Sequence, residues 1–196
     1  HLQQLHRWLL LRKNPLVIQY RVNSGFVPSD HWVHSEGEGR SRIVGEMTHF
    51  IDLLNSITGS SISRVHAERI GGDNQSAVNN DNITVTFKFE EGSVANLTYA
   101  ASGDKAYSRE KIEIFYEGNT VVSEDFRISK KHFGGKTETF KTHGQEMGYR
   151  EELKHFISLF KGEESRTVTL KEAFQTMRAV FAIETSLSTG QAIRLS

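Results

Sequence analysis

Three ionisable side chains recur at a three-residue spacing near the first quarter of the chain: Glu46, His49 and Asp52. Residues three apart share one face of an α-helix, so a helix here would carry two carboxylates around an imidazole. An imidazole can exchange a proton near neutral pH, and a neighbouring carboxylate can fix its orientation. The spacing therefore predicts an acid–base site. The alternative is a polar helix face, with Glu46 stabilising the positive helix N-terminus.

An amphipathic helix over residues 46–57 is predicted to hold these side chains. Apolar residues occupy the positions that cover the rest of its surface: Met47, Phe50, Ile51, Leu53 and Leu54. Gly59 is expected to end the helix, because glycine readily adopts the left-handed conformation at this position. A loop predicted over residues 23–42 leads into the helix and contains Asp30-His31-Trp32-Val33-His34. Loops of this length inside a domain are often functional.

The histidines of this region also permit a metal site. His31, His34 and His49 could supply three zinc ligands, which would make the chain a metal-dependent hydrolase. Other chemistries lack their motifs. Gly37-x-Gly39 begins like a dinucleotide fingerprint, but Arg42 stands where the third glycine is needed and no strand directly precedes it. No Gly-x-Ser-x-Gly nucleophile elbow occurs.

Composition narrows the class of protein. The 196 residues form a single predicted domain, 1–196, and the 24 basic side chains equal the 24 acidic ones. This balance gives no reason to expect binding to nucleic acid or to a membrane surface. The absence of cysteine excludes disulfides and thiolate chemistry. No apolar run approaches the roughly 20 residues that span a bilayer, and the sequence begins inside a predicted helix, which suggests a piece of a longer protein.

Periodicity predicts the α+β class. A strand at 16–22 and another at 62–70 flank the helix; two hairpins follow, and two helices close the chain. The hairpin strands are predicted over 82–89 with 94–99, and over 111–116 with 120–123. Short edge strands are predicted over 126–129 and 137–142, helices over 147–160 and 171–187, and a terminal strand or tail over 192–195. Thr169 and Glu172 form a predicted capping box for the last helix.

Four segments carry a family resemblance: Tyr20–Phe26 in the first strand, Asp30–Trp32 in the loop, His49–Leu54 in the helix, and Ala179–Leu195 at the chain end. Together they resemble the C-terminal domain of the Gfo/Idh/MocA family of sugar and cyclitol oxidoreductases. The likeness covers nearly the whole chain. It is similar above all to the branch whose members join an alcohol-dehydrogenase-like half to a Gfo/Idh/MocA half.

The resemblance implies a large, mostly antiparallel sheet with helices on one face and an opposite face used for homo-oligomerisation. It also implies a missing N-terminal Rossmann domain, which would hold NAD or NADP and the lysine of a Glu-Lys-Pro motif. No Glu-Lys-Pro occurs here. Residues 1–13 would then be the helix that leads out of the missing nucleotide-binding domain. The chain itself is expected to bind neither cofactor nor metal.

The resemblance also assigns the site residues. His49 matches the histidine that contacts the reacting sugar hydroxyl, and Asp52 matches the aspartate one turn later. Family members commonly carry an aspartate four residues before the histidine, where this chain has Gly45, so Glu46 is the candidate replacement. The set is completed by residues that could give hydrogen bonds and an aromatic face to a polyhydroxylated ring: Arg21, Asn23, Trp32 and His34.

The sequence thus predicts the substrate-binding and oligomerisation domain of a cytoplasmic NAD(P)-dependent oxidoreductase. Its substrate would be a hydroxyl of a sugar, nucleotide sugar or cyclitol, and the isolated chain would be inactive. The alternative is a non-catalytic domain of the same fold that serves assembly or ligand sensing.

Overall fold

A computed structural model describes residues 1–35, 37–72, 78–144, 148–163 and 169–195. Nine strands and five α-helices lie in these ranges, which confirms the α+β class. The strands are β1 (Val17–Asn23), β2 (Ile62–Arg69), β3 (Asn82–Phe89), β4 (Val94–Ala100), β5 (Glu110–Tyr116), β6 (Asn119–Glu124), β7 (Ile128–Phe133), β8 (Lys136–Lys141) and β9 (Ile193–Arg194). The helices are α1 (Leu2–Leu9), α2 (Arg42–Gly45), α3 (Met47–Thr58), α4 (Tyr149–Phe160) and α5 (Leu170–Thr189).

All nine strands form one sheet in the order β8-β7-β6-β5-β1-β4-β3-β2-β9. The predicted β3–β4 and β5–β6 hairpins are present, and β7 pairs with β8 as a third hairpin. The first of the two predicted edge strands is thus longer than expected, the second begins and ends one residue earlier, and the two pair around the turn at Gly134 and Gly135. One pair departs from the antiparallel pattern: β1 runs parallel to β4, with Val22 opposite Tyr99. The carboxyl ends of these two strands therefore meet at the same edge of the sheet.

The core lies between this sheet and the helices on one of its faces. Ile18, Tyr20 and Val22 alternate inward along β1 and are buried. Phe50 of α3 packs edge-on against Tyr20, at 5.6 Å between ring centroids, and lies 6.0 Å from Tyr99. Helix α5 packs on both β2 and α3. Residues of opposite parity on β1 consequently point to the other, open face.

Helix boundaries follow the predicted signals closely. Gly59 ends α3 with a φ of 65°, and the capping box of Thr169 and Glu172 opens α5. Helix α3 begins at Met47, so Glu46 is its N-cap residue and not part of its first turn. Helix α4 begins at Tyr149, whereas the predicted start, Met147, lies outside the described residues. Within the described ranges, no helix is long and apolar enough to cross a membrane.

Helix α4 differs from the other long helices because none of its described residues is buried. Its apolar side chains are exposed along one stripe: Leu153, Phe156, Ile157 and Phe160.

Candidate active site

The loop before α2 is folded back on itself, although the sequence predicts no regular structure there. Residues Trp32–His34 form a turn of 3-10 helix. The Ser35 carbonyl accepts a hydrogen bond from the Arg40 amide at 2.7 Å. A Cβ atom at Gly39 would lie 2.3 Å from the Cα atom of Val33, so only glycine fits this crossing. The loop is therefore a defined element that carries Trp32 and His34 towards α2.

A short helix positions the first charged pair. Ser41 caps α2 by accepting a hydrogen bond from the Val44 amide at 3.3 Å. Arg42 then extends along the helix and donates from Nε and Nη2 to the two carboxylate oxygens of Glu46, at 3.1 and 3.2 Å. This forked geometry fixes the Glu46 carboxylate in two directions. The Glu46 side chain keeps about a third of its surface exposed, so it can still meet a ligand.

The carboxyl ends of β1 and β4 complete this cluster. Tyr99 donates its hydroxyl hydrogen to Glu46 at 2.7 Å, and its ring lies 5.2 Å from the Arg42 guanidinium carbon. Burial, together with the hydrogen bond to Glu46, raises the pKa of the Tyr99 hydroxyl, so this group stays a hydrogen-bond donor. Just after β1, the Gly25 carbonyl accepts a hydrogen bond from Arg42 Nη1 at 2.8 Å.

Asp81, just before β3, lies under the cluster and is 1% exposed. Its Oδ2 atom is 3.7 Å from Arg42 Nη1 and 3.6 Å from His34 Nε2. These distances are those of ion pairs and exceed a hydrogen bond. Burial raises the pKa of Asp81, the charges of His34 and Arg42 oppose that effect, and Glu46 adds to it.

His49 lies one turn beyond Glu46, and its amide donates to the Glu46 carbonyl at 3.1 Å. The imidazole is exposed and makes no hydrogen bond with the described residues. Asp52 is half-buried on the same side of α3. Its pKa is raised by burial and by Glu172 on α5, and it is lowered by His49. The predicted row of Glu46, His49 and Asp52 therefore exists, with Glu46 fixed and His49 available to a ligand.

Arg21 and Asn23 are not brought together with His49. Tyr20 faces the helices, so Arg21 points to the open face. There it donates to the Ser108 carbonyl and hydroxyl, both at 2.7 Å. Asn23 is buried at the strand end and donates to the Asp104 carbonyl at 2.7 Å. These contacts anchor loops, and the substrate-binding roles of Arg21 and Asn23 stay predictions from the sequence.

Trp32 and His34 lie in the same loop, but their side chains have different surroundings. Trp32 is 59% exposed and remains free to offer an aromatic face. His34 is turned inward to Asp81, so it supports the cluster from beneath. Among the described residues, no three histidine, aspartate or glutamate side chains are grouped as metal ligands. The alternative zinc site of His31, His34 and His49 is therefore not formed by this geometry.

Sequence comparison gives the family. The profile of the GFO/IDH/MocA C-terminal domain matches residues 14–122, more than half of the chain. The chain belongs to this family. The match includes β1, the loop, the Arg42–Glu46 pair, α3, Asp81 and Tyr99, and so it covers the whole cluster. A comparison with curated protein sequences finds no significant match.

Solved structures show the same fold at low sequence identity. The aldose-aldose oxidoreductase from Caulobacter crescentus, complexed with glycerol, has a TM-score of 0.77 and 15% identity over 99% of this chain and 59% of its own. The UDP-N-acetylglucosamine 3-dehydrogenase from Acidithiobacillus ferrooxidans gives 0.73 and 17%, over 95% and 57%. An oxidoreductase from Agrobacterium radiobacter, in complex with NAD+, L-tartaric acid and magnesium, gives 0.72 and 14%, over 98% and 61%. This Gfo/Idh/MocA domain thus spans about three fifths of the length of these proteins.

The two glycine-containing segments of this Gfo/Idh/MocA domain that resemble nucleotide-binding motifs lie in other structures. Residues 37–39 lie in the folded loop and lead into α2 without a preceding strand, so the strand–turn–helix that cradles a pyrophosphate is not formed. Gly135-Lys136-Thr137 ends like a phosphate loop, but Lys130 stands where such a loop begins with glycine. These residues form the β7–β8 hairpin.

Three residues of the cluster were not anticipated as site residues: Arg42, Asp81 and Tyr99. The Arg42–Glu46 pair was visible in principle, because opposite charges four apart on a helix attract. Asp81 and Tyr99 had no local signal. They join the cluster only because β4 ends next to the end of β1, and β3 begins next to the end of β4.

Proposed function

We propose that this chain is the substrate-binding domain of an NAD(P)-dependent oxidoreductase that acts on a hydroxyl of a sugar, nucleotide sugar or cyclitol. The observation that carries the proposal is the exposed His49 imidazole, which makes no hydrogen bond with the described residues and lies one turn beyond Glu46, whose carboxylate Arg42 holds. Family membership supports the reaction class. Two similar structures are named for aldose and nucleotide-sugar substrates, which supports the substrate class.

Oxidation of a carbinol removes a hydroxyl proton and a hydride. We assign the transfer of the proton to residues of this chain. In this proposal His49 accepts it at a ring nitrogen, and Asp52 stabilises the resulting imidazolium. Glu46, held by Arg42 and Tyr99, accepts a hydrogen bond from a neighbouring hydroxyl of the substrate. Trp32 supplies an apolar face for a sugar ring. His34 supports the loop and does not touch the substrate.

The cofactor belongs elsewhere in this proposal. Because the described residues form no dinucleotide cradle, we place NAD or NADP, and the catalytic lysine, in an N-terminal Rossmann domain of the parent protein. The similar structures leave room for such a domain, since each is longer than this chain by about two fifths of its own length. A cytoplasmic location is part of the same proposal.

The decisive experiment is His49→Ala in the parent protein, assayed with a panel of sugars, nucleotide sugars and cyclitols. Loss of the positioned base should lower kcat/KM by about 10²–10⁴-fold. His66→Ala is the matched control, because His66 is a half-exposed histidine on the open face of β2. Unchanged turnover in His49→Ala, with the circular dichroism spectrum of the parent, would contradict the proposal and favour the non-catalytic alternative.

A titration of NAD(H) into the 196-residue chain tests the placement of the cofactor. We expect no binding at micromolar concentrations by calorimetry. Micromolar affinity would show that this chain holds the cofactor after all, and would require a different division of the active site.

The open face of the sheet supports the proposed homo-oligomer. Val17 and Phe115 are paired across β1 and β5 on this face and are 51% and 41% exposed. Apolar side chains at the centre of an exposed sheet are typical of protein interfaces. Phe115→Lys should therefore reduce the oligomer to monomers in analytical ultracentrifugation. An unchanged sedimentation coefficient would locate assembly elsewhere.

A further inference from the structure

Asp81 is a buried carboxylate without the partners that such groups normally have. It is 1% exposed, and neither of its carboxylate oxygens accepts a hydrogen bond from the described residues. Burying a charged group in this way is costly, and removing its remaining partners would be more costly still. The backbone nevertheless holds Asp81 firmly, since its amide donates to Val78 at 2.9 Å and its carbonyl accepts from Ala101 at 3.0 Å.

The charged groups that face Asp81 come from three separate elements. His34 approaches from the loop, with Nε2 at 3.6 Å from Oδ2. Arg42 approaches from α2, with Nη1 at 3.7 Å from the same oxygen. Glu46, at the start of α3, acts on Asp81 as a like charge and is held away by its hydrogen bonds to Arg42. One carboxylate oxygen thus lies between the loop and the Arg42–Glu46 pair.

We propose that Asp81 is a positioning residue that connects the loop carrying the 3-10 turn Trp32–His34 to the Arg42–Glu46 pair. Through His34 it holds the 3-10 turn that carries Trp32. Through Arg42 it sets the direction in which the Glu46 carboxylate points. The loop and Glu46 are then ordered by one buried charge, so a change at Asp81 disturbs both. The role of Asp81 in catalysis rests on the proposed function. Its ordering of the loop and of Glu46 does not.

The first test uses Asp81→Asn, which keeps the size of the side chain and removes its charge. Hydrogen exchange of the His34 and Arg40 amides should become about tenfold faster, while amides within β3 and β4 keep their rates. The midpoint of urea unfolding should stay unchanged or rise, because burial raises the pKa of Asp81 and the folded state disfavours its ionised form. If Asp81 only stabilised the fold, Asp81→Asn would make amide exchange faster and would also lower the midpoint of urea unfolding.

A double-mutant cycle isolates the contact with His34. His34→Gln should loosen the loop to the same extent as Asp81→Asn, and the double variant should add nothing further. The His66–Glu68 pair gives the matched control, because its atoms are 3.8 Å apart on the open face of β2. Glu68→Gln should leave loop exchange unchanged. Additive effects of His34→Gln and Asp81→Asn, or loop exchange unchanged in either variant, would overturn this connection. If Asp81→Asn does not fold, His34→Gln alone decides the question.

The contact with Arg42 has its own readout. In Asp81→Asn the carbon-13 signal of the Glu46 carboxyl group should shift, and in Glu68→Gln it should not. An unmoved Glu46 signal would overturn the second half of the proposal. These measurements use the 196-residue chain and need no turnover. A failure of the proposed function, seen as full activity in His49→Ala, would therefore leave them standing.

Discussion

Two arginines lie at the same end of the sheet, and each lies over a tyrosine ring. Arg42 is 5.2 Å from the Tyr99 ring on the helix side, and Arg21 is 4.5 Å from the Tyr107 ring on the open side. Their partners differ. Arg42 is buried between two carboxylates, whereas Arg21 donates to the neutral carbonyl and hydroxyl of Ser108.

This difference in partners distinguishes the candidate site around Arg42 from the structural contact made by Arg21. The Arg42 cluster concentrates charge next to an exposed histidine, and its geometry fixes a carboxylate that remains accessible. The Arg21 cluster contains no carboxylate partner among the described residues and joins β1 to the loop before β5. Both residues are arginines near the same end of the sheet, so neither residue type nor position distinguishes them. The charge of the groups that each arginine contacts does.

The largest expected effect comes from removing Arg42, and the removal of Arg21 is its comparison. Arg42→Met should lower the free energy of unfolding by about 3 kcal/mol, because Asp81 and Glu46 lose their shared cation in a buried setting. Arg21→Met should cost about 1 kcal/mol, the scale of hydrogen bonds to neutral partners. Urea denaturation of both variants provides the measurement. Equal costs would show that the two clusters are equivalent and would remove the basis of the comparison.

The two tyrosine hydroxyls should differ next. Tyr99→Phe removes the hydroxyl that donates to Glu46 and should cost about 1–2 kcal/mol. Tyr107 is 59% exposed, and its hydroxyl makes no hydrogen bond with the described residues. Tyr107→Phe should therefore stay within about 0.5 kcal/mol of the parent. The same unfolding measurement applies, and a neutral Tyr99→Phe would mean that Arg42 alone holds Glu46.

The smallest effect concerns the pKa of Asp52. This pKa depends on the charges of the side chains around it, including His49. Glu172 raises this pKa and His49 lowers it. Carbon-13 NMR titration should therefore give a lower Asp52 pKa in Glu172→Gln and a higher one in His49→Gln. Glutamine at position 172 can still complete the capping box, so the helix start is preserved. Shifts in the opposite directions would show that the two side chains do not face Asp52 as described.

The same shift has a consequence for stability. Because the folded state raises the pKa of Asp52, the stability linked to its protonated form is complete below the unfolded pKa of about 3.9 and is lost as the pH rises through the folded pKa. Glu172→Gln should make this dependence shallower. Unfolding midpoints measured from pH 3.5 to pH 6 would show the change.

Local signals predicted the elements well. Gly59, the Thr169–Glu172 capping box and the two alternating hairpins each depend on a few neighbouring residues, and the structure confirms all of them. The row of Glu46, His49 and Asp52 was likewise predicted from spacing alone. The exception within it is Glu46, which is an N-cap residue because the preceding turn, α2, ends at Gly45.

Long-range placement could not be predicted in this way. No local pattern indicates that β1 runs parallel to β4, and this pair brings Gly25 and Tyr99 to one place. Arg21 was a candidate for the site because it could donate hydrogen bonds to a polyhydroxylated ring. Which face of β1 meets the helices is decided by packing, and Tyr20 occupies the helix face.

By itself, the sequence determined most of the strands and long helices, the α+β class and the spacing of an imidazole between two carboxylates, because each depends on residues close together in the chain. Only the tertiary structure decided which charged groups share a buried volume. Asp81, His34 and Arg42 come from a strand start, a loop and a short helix, and only the packing of the sheet edge brings them within 4 Å. The electrostatic setting of Glu46 is therefore a property of the fold, while His49 is a residue that the sequence could already single out.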